Sequence, residues 1–313
     1  MTEFKIRSSP LLFGLKLVFG VGLIVMVIYR LYEMVTNQAY DDLLDNTKHY
    51  QYAILAILLM PINWSLEALK WKALILPIKP IRFAEAIKAV LAGLSTGIMT
   101  PNRVGNFIGR IAFIDKADRT HAAFFTLIAN LAQFVVSIGC GTVAFLFTQQ
   151  INFEISTYFL QIISLFILIF GILIYLKPSR IVRKPLKRFL PKDIEESVKF
   201  VSEASSGIKL KIIGLSLFRY GIFVSQYVLI VFTFMPHLSI YELYMHIMLV
   251  YLLVTVLPSL IFGKLFMREA AALIVLSAIG VSTSVILLTG FILWFVNIAL
   301  PALVGGFFLI RNK

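Results

Sequence analysis

The residues with the most chemistry in them are arginines set beside proline and glycine inside otherwise apolar sequence, and the pattern occurs twice. Between Phe83 and Asp115 the apolar run is interrupted by Thr100-Pro101-Asn102-Arg103-Val104-Gly105-Asn106-Phe107-Ile108-Gly109-Arg110. Between Ile240 and Gly280 it is interrupted by Leu257-Pro258-Ser259-Leu260-Ile261-Phe262-Gly263-Lys264-Leu265-Phe266-Met267-Arg268-Glu269. Proline removes a backbone donor and blocks the carbonyl four residues back. Lipid supplies no replacement, so a break at membrane depth is either buried in protein or lines a wet space. A guanidinium there costs at least about 2.5 kcal/mol unless a carboxylate, carbonyl, phosphate or water meets it. Broken-helix N-termini add unpaired N–H groups and positive dipole ends, so such a place favours an anion. Pro101, Gly105, Pro258 and Gly263 are the expected backbone breaks. Paired interruptions in corresponding halves point to an internally repeated transporter with its site where the repeats meet.

The elements that must position these residues are membrane helices. The chain has 313 residues, 59% of them hydrophobic and 14% charged, with a mean hydropathy of +0.90. A soluble domain carries about a quarter charged residues, and the apolar blocks here reach the roughly 20 residues that span a bilayer. Disorder, a secreted disulfide scaffold and a nucleic-acid-binding domain are poor fits. The net charge of +13 lies between spans, where it orients the protein and attracts anionic head groups. The single cysteine, Cys140, has no intrachain partner and leaves the redox compartment unread.

Full spans are expected at Leu11–Leu31, Tyr50–Leu74, Ala122–Phe147, Ile155–Leu176, Ile212–Phe234 and Ser284–Ile310. The first is longer than a signal-peptide core and lacks a cleavage site. The run Lys177 to Lys192 has seven bases and no acid, the strongest cytoplasmic marker in the chain. With Arg311 and Lys313 after the last span, both termini are expected inside a cytoplasmic (inner) membrane. Lys79, Arg82, Lys116 and Arg119 put both ends of the first broken stretch inside, whereas the second starts and ends outside. The expected architecture is therefore all-α: one polytopic transmembrane domain over 1–313 with about six to eight transmembrane helices plus two broken or re-entrant helical hairpins in an inverted repeat. The halves are approximately 50–150 and 210–310, joined by a basic cytoplasmic loop over 177–209.

At these residues the chain resembles the lysylphosphatidylglycerol synthase transmembrane region family, flippase-like membrane proteins. The matching features are Lys70-Trp71, Pro101-Asn102-Arg103-Val104-Gly105 with Arg110, and Pro258, Gly263 and Arg268-Glu269, followed by a long helix with Pro301 and Gly305-Gly306. This chain has Asn106 where the family often has an acid, and Lys264-Leu265-Phe266-Met267 where it often has a glycine-rich approach. The resemblance implies movement of an aminoacylated phospholipid or a polyprenyl-linked lipid between leaflets. It does not imply synthase chemistry, which in two-domain members belongs to a soluble domain after the membrane region.

The candidate substrate-binding residues are Arg103, Arg110, Arg219, Lys264, Arg268 and Glu269, supported by Asn102, Asn106, Glu67 and Lys70. Arg110 reads either as a bidentate phosphate contact or as a snorkelling interfacial residue. Arg268-Glu269, between apolar neighbours, reads as a functional or internally paired couple, with Glu269 orienting Arg268 or taking a coupling proton. Arg103 and Lys264 also read as plain anchors, and Glu67 with Lys70 as an i, i+3 structural pair near the interface. Arg219 lies inside its span at a depth that allows either function or contact with head groups, and Asn130 and Gln133 read as helix–helix hydrogen-bonding groups. No catalytic residues, metal ligands or cofactor site are expected, since His49, His121, His237 and His246 lack ligand spacing. The functional expectation is a flippase-like transporter of an anionic or aminoacylated lipid, with membrane lipids as partners and no enzyme activity. The alternative is a nontransporting subunit that anchors or regulates a lipid-modifying enzyme or glycosyltransferase; self-association is left open.

Overall fold

The computed structural model describes residues 49–98, 100, 105–115, 118–148, 157–178, 195, 198–199, 205–256 and 264–311. Those residues form helices and their connections: α1 (Tyr50–Ile75), α2 (Phe83–Ile98), α3 (Gly105–Ile111), α4 (Arg119–Phe147), α5 (Thr157–Leu176), α6 (Ser206–Phe234), α7 (Ile240–Val256), α8 (Lys264–Ser277), α9 (Thr283–Trp294) and α10 (Leu300–Arg311). A π-helical segment, Phe295–Ala299, joins α9 to α10. Five continuous helical stretches are long and apolar enough to cross a membrane: α1, α4, Tyr158–Leu176 of α5, α6, and Thr283–Arg311. Their outward residues are large and apolar, as on α5 with Tyr158, Phe159, Ile162 and Phe166. A surface of that kind suits lipid and not water. The helices exceed the expected spans by a few residues at some ends, and the expected first span, Leu11–Leu31, lies outside the described residues.

Both broken stretches appear as pairs of short helices. At 16 and 7 residues, α2 and α3 are shorter than the bilayer core of about 30 Å, because a helix rises about 1.5 Å per residue. The same holds for α7 and α8, at 17 and 14 residues. The ends of the first pair meet, since Lys79 just before α2 binds Asp115 just after α3 at 3.1 Å. Pro101, Asn102, Arg103, Pro258 and Gly263 lie outside the described residues, as does the Lys264 side chain.

Small residues let this first pair close. Gly93 and Gly97 on α2 lie against Asn106 of α3, and Gly105 and Gly109 on α3 lie against Thr96 and Ala92 of α2, two Gly-xxx-Gly spacings of the kind that brings membrane helices into backbone contact. A Cβ on Gly105 would strike the Thr96 carbonyl, and one on Gly109 the Ala92 carbonyl. Both backbone polar groups of Gly105 are met locally: its N–H donates to the Thr100 hydroxyl at 2.6 Å, and its carbonyl accepts from the Thr96 hydroxyl at 2.5 Å.

The order of a long helix, two short arms and a long helix occurs in 50–147 and again in 206–311. Helices α1 and α6 pack along each other. Helix α2 packs on α10, and its counterpart α7 packs on α4, so each half sets its first arm against the last long helix of the other. That last helix carries the π segment where Pro301 has no N–H for the Asn297 carbonyl. The Leu300 N–H reaches back five residues to the Phe295 carbonyl, and the buried Asn297 side chain accepts from Asn63 of α1 at 3.0 Å.

Candidate functional site

One face of α1 carries Trp64, Glu67, Lys70 and Trp71, whose three- and four-residue spacings place them together. This face turns inward: Glu67 and Lys70 are 2% and 1% exposed. The i, i+3 pair expected from the spacing is present, with Lys70 Nζ 2.8 Å from Glu67 Oε2, and it lies inside the protein. The fold brings two arginines to the same carboxylate from elements far away in sequence. Arg110 of α3 donates through Nη2 to Glu67 Oε1 at 2.7 Å. Lys70 Nζ pairs with Oε2 at 2.8 Å, and Arg219 Nη1 of α6 reaches the same oxygen at 3.3 Å. Three cations therefore share one carboxylate. Because carboxylate and ammonium ionise together in so close a pair, the cluster holds a net charge of +2 among the described residues.

Each member is held by further contacts. Gly93 on α2 makes room, since a Cβ there would collide with the Asn106 side chain and Arg110 Cγ. Arg110 Nε donates to Asn106 Oδ1 at 3.1 Å, and its guanidinium stands 5.5 Å from the Trp71 ring centroid. The Arg219 guanidinium lies between aromatic rings, 5.4 Å from Trp64 and 4.8 Å from Phe223, where each ring face attracts a cation. Gln133 of α4 accepts from Arg219 Nη1 at 3.3 Å and donates to the Ser216 carbonyl at 3.3 Å. Lys70 Nζ lies 3.4 Å from the Ser216 hydroxyl. Gln133 thus makes the interhelical bonds read for it, whereas Asn130 is exposed. On the cluster's cations and the two tryptophans of α1, the buried donors without a partner are Arg110 Nη1, Arg219 Nε and the indole N–H groups of Trp64 and Trp71.

A second, neutral pair lies at the start of α8. Arg268 Nη2 donates to Glu269 Oε1 at 2.6 Å and to the Gly290 carbonyl of α9 at 2.6 Å, while Nε donates to the same oxygen at 3.1 Å. Side-chain exposures of 13% and 17% make this an internal pair. The Glu269 carboxylate lies directly against Gly290, where a Cβ would overlap both its oxygens. No ion pair joins the two charge clusters among the described residues. Aromatic rings lie between them: Phe223 and Tyr220 on α6 stand 6.4 and 5.9 Å from Tyr251 of α7, and Tyr251 is within electrostatic reach of Arg268.

Of the sequence candidates, Glu67, Lys70, Asn106, Arg110 and Arg219 meet in one cluster, and Arg268 with Glu269 forms the other. Trp64, Gln133, Ser216, Phe223, Gly93 and Gly290 were not among the site candidates. Helical spacing on α1 is the signal that groups Trp64 with Glu67 and Trp71; no spacing links Gly93 to Arg110. Gln226, seven residues beyond Arg219, turns elsewhere and donates to the Ala56 carbonyl at 2.8 Å. Among the described residues no three His, Cys, Asp or Glu side chains stand together as metal ligands.

Lipid-facing apolar helices around buried charge define an integral, polytopic α-helical membrane protein with a cationic interior cluster. Residues 15–309 match the family of the lysylphosphatidylglycerol synthase TM region, and the chain belongs to that family. Comparison with curated proteins and with solved structures finds no match.

Proposed function

We propose that this protein is a flippase-like transporter that receives the anionic head group of a membrane lipid at the Glu67–Lys70–Arg110–Arg219 cluster and passes it across the cytoplasmic membrane. One observation carries the reading: three cations, Lys70 and Arg110 buried and Arg219 13% exposed, share a single carboxylate and leave guanidinium N–H groups without partners. Unbalanced buried charge is strongly destabilising, and intramembrane ionisable groups generally mark a substrate path. A lipid phosphate supplies the missing charge and acceptors through charge-assisted, bidentate hydrogen bonds. The aromatic rings between the clusters and the Arg268–Glu269 pair continue that path. The corresponding packing of the two halves supports an inverted repeat with re-entrant hairpins, and the basic segment over 177–209 supports cytoplasmic termini. Nothing in this reading makes or breaks a covalent bond.

The test is reconstitution in vesicles carrying a fluorescent anionic lipid, with quenching of the outer leaflet by a membrane-impermeant reductant. Wild type is expected to expose the inner-leaflet probe, and Arg110→Ala to do so no faster than protein-free vesicles while keeping its helical circular dichroism. Arg219→Lys, which retains the charge, is expected to keep partial activity. Equal flipping by wild type and Arg110→Ala would remove the cluster from the transport path. A folded wild type that moves no lipid would refute transport.

A further inference from the structure

We infer that the head group taken by this cluster is a phosphate monoester in its dianionic form, on a lipid with no cationic substituent. This rests on the lipid-binding reading above and narrows it from any anionic or aminoacylated lipid to one charge class. The first argument is charge. Among the described residues the cluster holds +2, with its one carboxylate already shared by Lys70, Arg110 and Arg219. A phosphodiester would leave one buried charge unmet, and an aminoacylated head group would add a further cation to the cationic interior. A phosphate monoester, close to two negative charges at neutral pH, balances the site.

The second argument is hydrogen-bond capacity. The unpartnered atoms on the cluster's cations and on the two indoles beneath them are all donors: Arg110 Nη1, Arg219 Nε, Trp64 Nε1 and Trp71 Nε1. Arg110 itself is 97% buried, being 3% exposed, so water does not readily serve it. A donor-only surround is complemented by an acceptor-only ligand. A dianionic monoester offers three terminal oxygens without a proton, whereas a diester offers two. An ammonium group brings only donors. Among the described residues two buried carboxylate oxygens lack a hydrogen bond: Glu67 Oε2, which is ion-paired with Lys70 and Arg219, and Glu269 Oε2, in the separate pair whose charge Arg268 already balances.

The experiment uses the purified full chain in nanodiscs of phosphatidylcholine doped equally with acyl-matched phosphatidic acid, phosphatidylglycerol and lysylphosphatidylglycerol, reading retained lipid by native mass spectrometry. Phosphatidic acid is expected to be retained at least about tenfold over phosphatidylglycerol, the ratio one charge-assisted hydrogen bond supports, with the lysylated lipid lowest. Retention of phosphatidylglycerol equal to phosphatidic acid would overturn the monoester assignment, and retention of the lysylated lipid at or above either would overturn the charge argument. Either result, with these lipids enriched over the phosphatidylcholine background, would leave lipid binding standing. Retention that follows the doped fractions for all three would overturn the lipid-binding reading itself. Soluble glycerol phosphate at millimolar concentration is expected not to displace phosphatidic acid; displacement would assign the site to free phosphate monoesters. Arg219→Gln is expected to lose the selectivity and Arg219→Lys to keep part of it.

Discussion

Replacing Glu67 by glutamine would leave Lys70, Arg110 and Arg219 packed together with no counter-charge. In the native protein the carboxylate meets these cations at 2.8, 2.7 and 3.3 Å. At an effective dielectric near 20, a pair of unit charges about 4 Å apart gains about 4 kcal/mol gross, and the cations' mutual repulsion takes part of that back. Removing one partner of a buried ion pair costs about 3–5 kcal/mol net. With about 2–4 °C lost per kcal/mol in a domain of this size, the melting temperature should fall by roughly 10 °C. The assay is thermal unfolding in detergent followed by intrinsic tryptophan fluorescence, with Glu67→Asp as a control that keeps the charge. Phosphatidic acid should recover more of the loss in Glu67→Gln than phosphatidylcholine does, because it supplies the anion the variant lacks. A melting temperature within about 2 °C of wild type would refute the reasoning, since three cations cannot remain packed together inside the protein without a cost.

Gly290→Ala places a methyl group where both oxygens of Glu269 lie. It should disrupt the Arg268–Glu269 pair at a cost of about 1–3 kcal/mol, seen as a lowered melting temperature together with slower lipid flipping. Gly305→Ala drives a Cβ into the Leu91 carbonyl, where α10 crosses α2. Separating those backbones should cost about 1–3 kcal/mol by the same melting assay, and the outward-facing Val304→Ala should cost far less. For the Asn63–Asn297 bond of 3.0 Å, a double-mutant cycle with alanine should give a coupling near 0.6 kcal/mol, the usual size for interhelical hydrogen bonds in membrane proteins.

Much of the fold is legible because the physics of membrane helices is local. An apolar run of bilayer length folds as a helix whatever its neighbours, since every backbone polar group must be satisfied within the segment. The limits of α1 and α4 therefore lie close to those expected from hydropathy. The turn of the first stretch was legible for the same reason: α2 ends at Ile98 and Thr100 already lies in a bend, just before Pro101, whereas Pro258 lies outside the described residues. Arg268 with Glu269 was legible because the partners adjoin.

The Glu67 cluster is different, and there the sequence stops short. Glu67 and Lys70 sit one turn apart, which by itself describes many surface pairs of no consequence. Their partners, Arg110 and Arg219, are 43 and 152 residues away. They arrive only because α3 folds back through glycine-mediated contact with α2 and because α6 lies along α1. Composition and periodicity determine that this is a helical membrane protein broken twice beside arginine. Only tertiary packing decides which cations share a carboxylate, because burial and charge imbalance are properties of the assembled space and not of any one segment.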